Sequence, residues 1–137
     1  VNEIILKEAL VNFYNNFSSK RSYDAKDFDL SFVSGLSLED GAATLTEYTS
    51  EIISKKLTNN LTFLCGGGRK NKFLVKRIKE KVIGQIKLID DFSVDGDFVE
   101  SQAFAYLAIR SYLKLPISFP ETTGCLKPCT GGEIIKL

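Results

Sequence analysis

The sequence predicts a helix-rich α/β fold with a short parallel βαβ core, and three local observations carry that expectation. Residues 61–65, Leu-Thr-Phe-Leu-Cys, hold three large apolar side chains and no charge, the pattern of a strand covered on both faces. Gly66, Gly67 and Gly68 follow, a run without Cβ atoms that permits positive φ and a sharp turn. Asn71 is placed to cap the next helix, whose apolar stripe is Leu74, Ile78 and Val82, and Gly84 to close it. Ile86, Leu88 and Ile89 then read as a second strand. Strand, helix and strand in that order form a right-handed crossover with parallel strands.

Upstream of this core, residues 3–17 place Leu6, Leu10, Phe13 and Phe17 at helical spacing, with Ile5 and Ala9 alongside, which predicts an amphipathic helix. Residues 18–24 are polar and read as a loop, its Lys20 and Arg21 solvated rather than bound to phosphate. Ser37 and Asp40 have capping-box spacing and open a long helix over residues 38–57 with the stripe Leu38, Ala42, Leu45, Thr49, Ile52, Ile53 and Leu57. Thr44, Thr46, Thr49 and Ser50 are poor helix formers, so tertiary packing must hold it.

Downstream, Asp90-Asp91 and residues 94–97 form acidic turns before a helix over 98–113 that is apolar on nearly every side, as a deeply buried helix is. Glu100 is its exception. Asp97 as N-cap and Glu100 three residues on complete a capping box; the competing reading is a carboxylate delivered to a pocket. Residues 115–137, with Pro116, Pro120 and Pro128, form an extended, loop-rich tail that ends in a short strand over 133–136. All 137 residues are read as one domain.

Composition restricts the chemistry. A net charge of +1, with 44% hydrophobic and 26% charged residues, describes an ordinary globular chain with no global field toward nucleic acid or membrane. No apolar run approaches the ~20 residues of a membrane span, and Val1-Asn2-Glu3-Ile4-Ile5 does not open a signal peptide, so a cytoplasmic protein is expected. Histidine is absent, which removes Ser-His and Cys-His nucleophile pairs, and three cysteines alone do not make a structural zinc site. No metal ligands and no catalytic residue are identified.

The glycine turn opening a helix offers N–H groups and the positive end of a helix dipole to an anion or nucleotide, although its spacing matches neither the dinucleotide fingerprint nor the P-loop. Seven basic residues lie within 69–81: Arg69, Lys70, Lys72, Lys76, Arg77, Lys79 and Lys81. They surround the apolar stripe as a solvated face does and lack an aromatic stacking platform, so they are read against nucleic-acid binding, which stays as an alternative.

Cys65-Gly66-Gly67-Gly68 with Asn71 and Leu74, Gly96-Asp97 with Glu100 and residues 103–108, Leu115-Pro116, Thr123-Gly124, and Gly132-Glu133-Ile134 together resemble the C-terminal part of the anhydro-N-acetylmuramic acid kinases. Residues 36–40 with 43–46 extend the likeness over nearly the whole chain. The resemblance implies a partial lobe of the actin-like, RNase H-like ATPase fold and a cytoplasmic role in peptidoglycan recycling. In that family, ATP with Mg2+ phosphorylates the 6-hydroxyl of 1,6-anhydro-N-acetylmuramic acid while water opens the anhydro ring. It further implies that Gly66, Gly67, Gly68 and Asn71 face the nucleotide and that Glu100 faces the amino sugar.

The family's phosphate loop and catalytic-aspartate segment have no counterpart in these residues, and Ser22 and Phe28 match a further loop in part, with Arg21 and Ala25 in place of its lysine and arginine. The expected chain is therefore inactive alone and needs the N-terminal half of the kinase as a partner. A sheet of two parallel strands leaves an apolar edge uncovered, which predicts a homo-oligomer. A non-catalytic remnant is the remaining alternative.

Overall fold

The computed structural model describes residues 1–18, 23–58 and 60–135. Its chain contacts divide it into two compact units, Val1–Leu88 and Ile89–Leu137. The expected loop at Lys20, Arg21 and Ser22 lies outside the described residues, as does Lys136 of the expected last strand.

The first unit opens with helix α1 (Glu3–Asn16), started by Asn2, whose side chain accepts a hydrogen bond from the Ile5 N–H at 3.1 Å. Leu6 and Ala9 are buried from α1, and with Tyr48 they centre a core that Leu10, Phe13, Phe32, Leu45 and Ile52 complete. Aromatic rings extend this core: Phe13 stacks on Phe28 with centroids 5.7 Å apart, and Phe32 lies 4.9 Å from Tyr48. The six-carbon rings bury large area with few rotatable bonds, which closes the connection between α1 and the next helix.

Helix α2 (Leu38–Ser54) begins where its cap predicts, Ser37 Oγ accepting from the Asp40 N–H at 3.1 Å. Its buried face differs from the expected stripe. Leu38 is 84% exposed, whereas Gly41, Thr44, Glu47, Tyr48 and Ser50 are buried. Small and polar side chains are tolerated there because each has a partner. Thr44 Oγ1 accepts from the Asn2 N–H at 2.9 Å, tying the start of α1 to α2, and Ser50 Oγ donates to the Glu47 carbonyl at 2.7 Å.

Strands β1 (Leu61–Leu64) and β2 (Gln85–Leu88) pair in parallel, Leu61 opposite Gln85 and Leu64 opposite Leu88, with helix α3 (Lys72–Lys81) between them. The expected βαβ core is present. Val75, Ile78 and Ile86 are its buried residues. Two expectations fail. Strand β1 is not covered on both faces, since Leu61 and Phe63 each remain 42% exposed on alternate positions. Gly84 does not close α3 either; the helix stops when Val82 turns extended, its N–H still donating to the Ile78 carbonyl.

The second unit starts with a single helical turn over Ile89–Phe92, so Ile89 does not belong to β2. Helix α4 (Val99–Tyr112) follows, and none of its residues is buried, contrary to the expected deep helix; Phe104, Tyr106, Ile109 and Tyr112 are 59–71% exposed. The tail is better organised than expected, with a short helix α5 (Pro120–Thr123) and an antiparallel bridge between Ser118 and Cys129. Arg110 braces it, donating from Nε to the Pro116 carbonyl at 2.6 Å and lying 5.7 Å from the Phe119 ring centroid. Residues 133–135 form no strand.

Candidate functional site

The glycine turn is built from both sides. Strand β1 delivers Cys65, and Gly66 then takes φ 74 and ψ 178, a backbone conformation that side chains on Cβ disfavour. Gly67–Lys70 make one tight helical turn, and Asn71 starts α3, its Oδ1 accepting from the Leu74 N–H at 3.1 Å. Arg69 locks the turn from within: its backbone N–H and its Nη1 both reach the Gly66 carbonyl, the latter at 2.9 Å. That lock escaped sequence reasoning, which saw Arg69 only as part of a basic run; its signal is an arginine three residues after a glycine carbonyl bent outward by positive φ.

The outer side of the turn is open. A Cβ at Gly66 or Gly67 would meet nothing within 4 Å, and one at Gly68 would meet only Leu74 Cδ2 at 3.9 Å. The first N–H groups of a helical turn have no partner inside it. A cleft of about 130 Å³ lies between the turn and the core, bordered by Gly68, Arg69 and Leu74 together with Ile53 of α2 and the buried Val75 and Ile78. Sites for small molecules usually reach about 300–1,000 Å³, so this gap is too small for one. A roomier depression, about 670 Å³, runs along α1 past Glu3, Ile4, Lys7, Glu8, Val11 and Asn12, but a single helix lines it.

Of the basic run, Lys70, Lys72, Lys76 and Lys79 are exposed as expected, while Arg69, Arg77 and Lys81 turn inward. Arg77 and Lys81 turn toward the buried Glu47, and Lys76 pairs with Glu80 at 3.8 Å. The expected solvated face is thus corrected for Arg77 and Lys81, drawn inward because a buried carboxylate needs paired charge.

Gly66, Gly67, Gly68 and Asn71 come together in the first unit, while Glu100 stands exposed in the first turn of α4 in the second. The expected capping box there does not form: Phe98 holds the cap position without a side-chain hydrogen bond, and the Asp97 N–H donates to Asp95 Oδ1 at 2.9 Å. A carboxylate in the first turn is favoured by the helix dipole, which accounts for Glu100 on structural grounds alone. Among the described residues no group of three or more His, Cys, Asp and Glu could hold a metal ion, and no helix is long and apolar enough to cross a membrane.

Residues 20–136 match the family model for anhydro-N-acetylmuramic acid kinase. The chain is 50% identical, over 98% of its length, to the anhydro-N-acetylmuramic acid kinase of Pelagibacter ubique (strain HTCC1062), and spans 39% of that relative. It is 41% identical over 83% of its length to the kinase of Zymomonas mobilis subsp. mobilis and spans 33% of it, and 38% identical over its full length to that of Caulobacter vibrioides, spanning 38%. In each case it spans well under half of the curated relative. It therefore belongs to the anhydro-N-acetylmuramic acid kinase family, as a partial region of the kinases it matches.

Proposed function

We propose that this chain is the C-terminal, nucleotide-side portion of a kinase that phosphorylates 1,6-anhydro-N-acetylmuramic acid from ATP, a cytoplasmic step of peptidoglycan recycling, on an actin-like ATPase fold. The observation that carries the reading is the glycine turn: an open, Cβ-free wall at Gly66–Gly68, braced by Arg69 and by the Asn71 cap, in a chain of this family. Gly66, Gly67 and Gly68 let the adenosine side of ATP approach the backbone closely, and Asn71 holds the helix that fixes the turn. Glu100 is assigned to the amino-sugar side.

Bound MgATP supplies the phosphoryl group and the charge that neutralises it in transfer. This chain contributes position: its backbone donors and the rigid Arg69 brace hold one side of the nucleotide without a side chain in the way. The magnesium ligands are assigned to the rest of the kinase, so the chain by itself is taken as inactive, with the remaining part as its partner.

The test is product formation from 1,6-anhydro-N-acetylmuramic acid and MgATP, read by mass spectrometry, for the chain alone and for the chain mixed with the remainder of the Pelagibacter ubique relative. Phosphorylated product from the mixture and none from the chain alone is expected. Turnover by the chain alone at the ~1–100 per second of ordinary kinases, or no product from the mixture, would overturn the proposal.

A further inference from the structure

We propose that the outer flank of α3 binds a compact ligand carrying an oligophosphate chain, at a site beside the glycine turn and separate from it. A cavity of about 400 Å³ lies along this flank, within the first unit, and Arg69, Lys72, Lys76 and Lys79 line it. Its volume falls within the ~300–1,000 Å³ usual for small-molecule sites. The buried Val75 and the half-buried Leu88, the last residue of β2, complete its lining with apolar surface.

The two flanks of α3 treat their charge differently. Arg77 and Lys81 face α2, where Glu47 and Glu51 neutralise them. On the cavity side Glu80 supplies the carboxylate, and it is shared: its Oε2 accepts from Arg77, and its Oε1 lies 3.8 Å from Lys76 Nζ. Among the described residues no carboxylate pairs with Lys72 or Lys79. Arg69 Nη1 donates to the Gly66 carbonyl, which fixes the cationic end of the cavity nearest the turn.

Lys72 and Lys76 stand at i, i+4 and Lys76 and Lys79 at i, i+3, spacings at which like charges repel across a helical turn and weaken it. A bound polyanion removes that cost, and local conflicts of this kind concentrate where a site requires them. The three lysines extend over about 10 Å of helix. That is too long for one phosphate and is matched by a short chain of them. Lysine suits such a ligand, since each ammonium is a point charge with three donors on a flexible stem. A net charge of +1 for the whole chain, and no aromatic ring in the cavity lining, argue against nucleic acid as the occupant.

The experiment titrates the full chain with sodium tripolyphosphate at ~150 mM salt, without divalent metal, and follows amide NMR shifts. Saturable shifts at residues 72–79 and at Leu88 are expected, unchanged in Gly67→Ala, which alters the separate glycine wall. In the double variant Lys72→Gln/Lys79→Gln binding should weaken at least about tenfold. Because these lysines are exposed and repel their neighbours, the double variant should melt no lower than wild type, and tripolyphosphate should raise the melting temperature of wild type alone. Metal-free ADP separates two sources of the same chemistry: shifts at these amides assign the site to the phosphates of a nucleotide, and their absence assigns it to a free oligophosphate. No saturable shifts at residues 72–79, equal affinity or a lower melting temperature in the double variant, the same shifts from sulfate at matched ionic strength, or tighter binding of a single-stranded oligonucleotide would overturn the proposal.

Discussion

Arg77 clasps Glu47 through two hydrogen bonds, from Nε to Oε2 at 2.5 Å and from Nη2 to Oε1 at 2.6 Å, and so joins α3 to α2 across 30 residues of sequence. Lys81 Nζ adds a contact to Glu47 Oε1 at 2.8 Å and pairs with Glu51 as well. Glu47 is 4% exposed, and without Arg77 only Lys81 remains to pair it. Arg77→Ala should therefore destabilise the first unit by about 1.5–3 kcal/mol, read as a lowered denaturant midpoint. A change below about 1 kcal/mol, the value of an exposed pair, would contradict it.

The same clasp sets an acid limit. The Arg77 hydrogen bonds hold the Glu47 carboxyl well below its ordinary 4.5, at about 2. Because the folded value is depressed, its stabilisation is full above the unfolded pKa and is lost as pH falls from about 4.5 through about 2. Glu47→Gln should lower stability at neutral pH and flatten the acid limb over that window. An unchanged acid limb in Glu47→Gln would refute the assignment.

Asn71 separates folding from binding at the glycine turn. Its Oδ1 is committed to the Leu74 N–H, so Asn71→Ala should cost about 1 kcal/mol while Asn71→Ser costs a few tenths. Thermal melts of the two variants measure this; equal melting temperatures would remove the cap from the account.

The alternating exposure of Leu61 and Phe63 on β1 leaves apolar surface that the rest of the kinase or a second copy would cover. We expect the chain alone to self-associate, as a homodimer, at micromolar concentration. Phe63→Lys should shift light scattering toward monomer. A wild-type monomer with strongly protected amides across Leu61–Leu64 would contradict this.

Much of the first unit is legible in sequence because its signals are local. A charge-free apolar run, three glycines, and Ser or Asn just before a periodic stripe are read within a few residues, and β1, the turn, α3, β2 and the caps at Ser37 and Asn71 follow from them. What was not legible depends on distant partners. Thr44 shows in the sequence only as a poor helix former, and Glu47 has no signal at all, although Asn2 and Arg77 reach them in the fold. Helix α4 reads as a core helix from its composition, yet none of its residues is buried, since burial is a property of neighbours and not of the stripe. The turn at Gly124 and the bridge from Ser118 to Cys129 have no periodic signature either.

Gly67→Ala isolates the proposed contact between the glycine wall and a nucleotide, because a Cβ there meets nothing within 4 Å and should leave the fold intact. Amide NMR titration of the chain with MgATP is the direct measurement. Saturable shifts concentrated on residues 66–71, weakened severalfold in Gly67→Ala at an unchanged melting temperature, are the predicted result. Absence of shifts at residues 66–71, or an identical titration in the variant, would contradict it.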